Sequence, residues 1–144
     1  MNRACWRDLR RYKYQLTNNY TITIPITPDS DIPTGFATLT SEGILHIRKH
    51  YAWDGPSGIT IDTKSFMRGS LVHDALYQLM SLGKLDYEVH RETADQILKD
   101  ICIEDGMWKF RAAYVHWAVR IFGEKHARPT DEPTDEVTCM PAVS

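Results

Sequence analysis

Apolar and polar residues alternate through residues 12–62, and clusters of turn formers break the alternation at short intervals. This pattern predicts short strands over 12–16, 20–24, 36–39, 44–47 and 51–53. Between them lie Thr17-Asn18-Asn19, Pro28-Asp29-Ser30-Asp31 and Ser41-Glu42-Gly43, which carry turn chemistry. The first two strands are expected to form one hairpin, and the two around Gly43 another.

From residue 64 the period changes to that of a helix. One helix is expected over 65–81, with Phe66, Leu71, Ala75, Leu76 and Leu79 on its apolar side and Gly83 as its stop. A second is expected over 88–103, carried by Val89, Ala94, Ile97, Leu98 and Ile101 and ending near Gly106. The third, 107–122, is apolar around most of its circumference. Its Trp108, Tyr114, Trp117, Ile121 and Phe122 predict a buried central helix. The fold class is therefore α+β, with N-terminal antiparallel β-hairpins followed by three helices. One globular domain is expected over 1–124. Residues 125–144 are proline-containing and acidic, and read as a flexible tail.

Composition narrows the function classes. A hydrophobic fraction of 42% and a charged fraction of 25% suit an ordinary soluble domain. A formal net charge of −2 supplies no basic field, so nucleic acid is not an expected partner. Cys5, Cys102 and Cys139 are too few and too scattered for a disulfide framework or a zinc site. The charged N-terminus lacks the apolar run of a signal peptide, and no stretch is long and apolar enough to span a membrane. The expected origin is a cytoplasm.

The chemistry gathers in His73-Asp74-Ala75-Leu76-Tyr77. On a helix His73 and Tyr77 share a face, and Asp74 points about 100° away. Gly83 permits a tight turn, so the first two helices are expected to be antiparallel neighbours, with Asp95 on the second facing His73. A mid-helix aspartate among Ala94, Ile97 and Leu98 needs a partner, and an imidazole N–H would serve. The other ring nitrogen would then be free as a base. The plainer reading is an ion pair that only joins two helices. Arg91, four residues before Asp95, either pairs with it along the helix or competes with His73. Trp6, Tyr51 and Trp53 are candidates for an aromatic rim at a lipid surface.

The order of a glycine-bearing loop, His-Asp-x-x-Tyr and then Ala-Asp on a later helix resembles the catalytic core of secreted phospholipase A₂. The loop is Trp53-Asp54-Gly55-Pro56-Ser57-Gly58, the motif is His73 to Tyr77, and the later pair is Ala94-Asp95. The likeness spans about residues 51–98. It implies a phospholipase-like antiparallel helix pair and calcium-dependent hydrolysis of phospholipid esters at a membrane surface. It makes His73 the general base, Asp95 the group that orients it and Tyr77 a brace for Asp95. It makes Asp74 and the carbonyls of Trp53, Gly55 and Ser57 calcium ligands, with the Gly55 N–H at the oxyanion. The family's cysteines are missing here, since Gly69, Ser70 and Leu76 occupy those positions.

A second resemblance covers more of the chain. Trp53-Asp54-Gly55-Pro56-Ser57, Val72 to Tyr77, Arg91 to Asp95, and Val119 to Gly123 are similar to a family of small bacterial and bacteriophage proteins known as a domain of unknown function. That likeness implies a phage origin and no particular activity. It leaves a rival to the hydrolase, a non-catalytic phage protein that binds the virion or a host factor.

Overall fold

The computed structural model describes residues 4–6, 14–53, 64–128 and 138–140. Eight short strands and four helices follow in order: β1 Ala4–Trp6, β2 Tyr14–Gln15, β3 Tyr20–Thr23, β4 Ile32–Pro33, β5 Ala37–Leu39, β6 Ile44–Ile47, β7 Ala52–Trp53, α1 Lys64–Ser81, α2 Tyr87–Glu104, α3 Lys109–Phe122, α4 Glu124–Ala127 and β8 Thr138–Met140. The class is α+β, with every strand pair antiparallel.

The largest sheet runs β3-β6-β5-β4. Its β5–β6 hairpin closes as the turn chemistry around Gly43 predicts. Gly43 adopts a φ of 86°, and a Cβ there would stand 2.5 Å from the Ile24 carbonyl oxygen, so only glycine fits. The other expected hairpin does not form. β3 pairs with β6, and β2 pairs with β7, at the register Tyr14 to Trp53. Long-range pairing overrides the short Thr17-Asn18-Asn19 turn because it buries Trp53 against Tyr14, ring centroids 5.6 Å apart.

The sheet and α1 share one core. Ile24, Ile26, Leu39, Leu45 and Ile47 meet Leu71, Val72, Ala75 and Leu79 there. A second cluster lies between α1, α2 and α3 and contains Phe66, Leu98, Cys102, Met107, Ala112, Val115 and Val119. The first helix is thus covered on two sides, which is why its polar residues at 70 and 73 are buried.

Three expectations are corrected. The third helix is not buried all round. Trp108, Phe110, Tyr114, Trp117, Ile121 and Phe122 are each between 52% and 73% exposed, and Ala112, Val115, Ala118 and Val119 face the core instead. An apolar circumference failed as evidence of burial because the inward side is filled by small residues. Tyr51 and Trp53 belong to the core, stacked at 6.4 Å, so they form no exposed rim. Trp6 lies in β1, which pairs with β8. Packing also continues past residue 124. Ala127, in α4, is fully buried in the main core.

Candidate active site

Two helices approach closely enough to put a histidine on an aspartate. α1 and α2 run antiparallel, as the cross-contacts Arg68–Asp105, His73–Asp95 and Tyr77–Arg91 require. Asp86 opens α2 by accepting from the Glu88 N–H at 2.9 Å, and Gly83 makes the preceding turn at a φ of 71°. Gly69 permits the contact itself. A Cβ there would sit 3.0 Å from both Cys102 Sγ and Leu98 Cδ1. His73 lies one turn after Gly69 on the same face.

His73 Nε2 lies 2.7 Å from Asp95 Oδ1, with the histidine 1% and the aspartate 0% exposed. The Tyr77 hydroxyl donates to the same oxygen at 2.5 Å, and its ring packs on the imidazole with centroids 4.0 Å apart. Arg120, from α3, donates through Nη1 to Asp95 Oδ2 at 2.9 Å. Arg91 makes the helical ion pair with Asp95, Nε to Oδ2 at 4.0 Å, and the same Nε donates to the Tyr77 hydroxyl at 3.2 Å. Its Nη2 donates to the carbonyls of Val119 and Arg120 at 2.8 and 2.7 Å, which satisfies the end of α3.

These contacts fix the protonation pattern. Burial pushes the Asp95 carboxyl up, but the imidazole, the tyrosine hydroxyl and the arginine outweigh it and hold its pKa below the ordinary value. An ionised carboxylate only accepts, so the hydrogen between Asp95 and His73 resides on Nε2. The neutral ring then carries its lone pair on Nδ1. That atom is buried and has no hydrogen-bond partner among the described residues. Burial works against a charge on His73, yet Asp74 and Asp95 together hold its pKa above the ordinary value. Burial and the neighbouring carboxylate keep the Tyr77 phenol far above its usual range, so it remains a donor.

Asp74 is the second group near the open nitrogen, with Oδ1 3.7 Å from Nδ1. That is too long for a hydrogen bond and close enough to act by charge. The Trp53 indole donates to Ser70 Oγ at 3.0 Å, which fastens the end of β7 one helical turn before Asp74. The chain leaves β7 into the loop that holds Gly55 and Ser57, both outside the described residues. No group of three or more His, Cys, Asp or Glu side chains placed to hold a metal ion occurs among the described residues. Of the calcium ligands that the phospholipase resemblance implies, Asp74 and Trp53 lie within the described residues, and Gly55 and Ser57 lie outside them. No helix among the described residues is long and apolar enough to cross a membrane.

Arg120 is the site residue that sequence reasoning passed over. Its signal was present as a cation set between the apolar Val119 and Ile121 in the last turn of the helix. Gly123 follows α3, and a Cβ there would stand 2.9 Å from the Tyr77 hydroxyl, so the glycine makes room for that side chain. Comparison with protein families, curated proteins and solved structures finds no match for this chain.

Proposed function

We propose that this chain is a phospholipase A₂-like hydrolase of phospholipid esters, with His73 as general base. The observation that carries the reading is the unpartnered Nδ1 of a buried imidazole whose other nitrogen is held by Asp95. A buried polar atom without a partner is costly, and it persists most readily where a reactant completes it.

Water placed at Nδ1 gives up a proton to it as the water oxygen attacks the ester carbonyl carbon. Asp95 stabilises the imidazolium that results, and Tyr77 and Arg120 keep Asp95 ionised and oriented. Collapse of the tetrahedral species breaks the bond to the glycerol oxygen, which takes the proton back from Nδ1. The products are a fatty acid and a lysophospholipid. Asp74, with the carbonyls of Trp53, Gly55 and Ser57, would hold calcium, which supplies a positive charge for the phosphate and the developing oxyanion. The Gly55 N–H is the proposed additional donor to that oxyanion.

The test is fatty-acid release from mixed phospholipid vesicles, in calcium and in chelator, with His73→Ala alongside. Calcium-dependent release that falls about 100-fold or more in the variant supports the reading. No release from the wild-type protein, together with no rise in melting temperature on adding calcium, overturns it.

One observation favours a second reading. Arg120 completes a charge network that joins α1, α2 and α3, and such a network also suits a non-catalytic phage protein that docks on a virion or a host factor. Co-purification with virions, without hydrolysis, would select it.

A further inference from the structure

The two ends of the chain meet as strands. β1 and β8 form a two-stranded antiparallel sheet of their own, with Ala4 opposite Met140, Cys5 opposite Cys139 and Trp6 opposite Thr138. Two of the three cysteines, scattered along the sequence, thus become partners at the central position of the pair. Directly opposite residues of an antiparallel pair stand about 4.5 or 5.5 Å apart at Cα, according to the kind of pair they form. A disulfide needs about 4.4–6.8 Å between the same atoms. Either kind of pair meets that need, so the register alone brings the two backbone positions within bridging distance.

So small a sheet gains from a cross-link. A two-stranded ribbon is marginal in water even when a tight turn joins its strands. β1 and β8 have three residues each and are joined only through the rest of the chain, so closing that loop costs more entropy than closing a hairpin. A covalent bond at the middle pair offsets that cost by holding the ends together in the unfolded chain as well. The third cysteine does not compete. Cys102 is fully buried between α1, α2 and α3. Burial, helped by the charge of Asp105, pushes its thiol up to about 12, where almost no thiolate forms at neutral pH.

We propose that Cys5 and Cys139 are a thiol–disulfide site that joins the first strand to the last, with a small-molecule disulfide of the glutathione type as co-reactant. The thiolate of one cysteine attacks a sulfur of the small disulfide, breaks its S–S bond and releases one small thiol. The opposite thiolate then attacks the protein sulfur of the mixed disulfide, forms the cross-strand bond and releases the second small thiol. The two protein thiols give up two protons and two electrons, and the small disulfide takes them up. In a reducing compartment the same steps run backwards, so the bond stays open there and closes in oxidising surroundings. The site uses neither His73 nor Asp95, so this inference and the hydrolase reading stand or fall separately.

The test is oxidation of the full-length protein in mixtures of reduced and oxidised glutathione, in buffer and in urea. After alkylation of the remaining thiols, peptide mass mapping should find Cys5 linked to Cys139 within one chain and Cys102 still a thiol. Closure should be favoured about tenfold or more further in buffer than in urea, because the folded chain holds the two positions opposite each other. By reciprocity the closed form should melt about 3 °C or more above the open form, and reductant should reverse the rise. Cys5→Ser with Cys139→Ser should abolish that redox-dependent shift. Disulfide-linked dimers as the main product, glutathione left on each cysteine, or a bond to Cys102 overturns the proposal. So does closure no more favourable in buffer than in urea, a closed form that melts no higher than the open one, or a redox-dependent shift that survives in the double variant.

Discussion

Arg120 Nη1 reaches Asp95 Oδ2 at 2.9 Å, on the oxygen that His73 and Tyr77 leave free. The carboxylate therefore has every oxygen engaged, and its charge is offset before His73 ionises. The contact is open to both readings of Asp95, as the group that orients a base and as a partner that only neutralises a histidine. It also ties α3 to the helix pair at the level of the site.

Replacing Arg120 by Met should expose the value of that contact. Asp95 would be left buried with one oxygen unpartnered, and the expected loss of stability is about 2 kcal/mol, below the range for fully buried pairs because Arg120 is partly exposed. Urea denaturation of Arg120→Met, Asp95→Asn and the double variant gives the coupling directly. Additive losses would show that the two side chains do not interact.

The approach of α1 to α2 depends on Gly69. Gly69→Val should destabilise by about 1–3 kcal/mol through overpacking against Leu98 and Cys102. Gly35→Ala, where a Cβ meets nothing within 4 Å, is the control and should change little. Thermal melts of both variants check this. Calcium-dependent hydrolysis should fall with Gly69→Val more than stability alone explains, because His73 and Asp95 are displaced from each other.

Tyr77→Phe should leave the His73–Asp95 bond in place and remove one donor from Asp95. The expected cost is about 1 kcal/mol of stability. Hydrolysis should drop by a modest factor, far less than with His73→Ala. Equal losses in the two variants would mean that Tyr77 acts on the substrate itself.

Stability should depend on pH with two slopes of opposite sign. The pKa of His73 is raised on folding, so its contribution is complete below about 6.5 and is lost as pH rises through the folded value. The pKa of Asp95 is lowered, so its contribution is complete above about 4 and is lost as pH falls through the folded value. Urea midpoints measured in chelator should rise as pH is lowered toward 6 and fall below 4. His73→Gln should remove the first trend, and Asp95→Asn the second.

Much of this arrangement was legible in the chain, and the failures have physical causes. The three long helices and the β5–β6 hairpin follow from periodicity, the stops at Gly83 and Gly106, and Gly43. The facing of His73 and Asp95 followed from the tight turn at Gly83 and the cost of burying an aspartate alone. Strand partners beyond that hairpin did not follow, because β2 with β7 and β3 with β6 are chosen by burial of Trp53 and Ile47, which no local signal encodes. The third helix misled because periodicity reports apolar faces without saying which one meets the core. Arg120 escaped notice for the same reason, since its partner lies on another helix.

The most direct test of the central claim is nitrogen-detected NMR of the His73 ring across pH in the full-length protein. A ring titrating above pH 6.5 to a neutral form, with its proton on Nε2 and a bare Nδ1, is the expected result. A proton on Nδ1 in that neutral form, or a ring that stays doubly protonated to about pH 9, would contradict it. Either of those results would leave His73 only joining two helices, with no nitrogen free to take a proton from water.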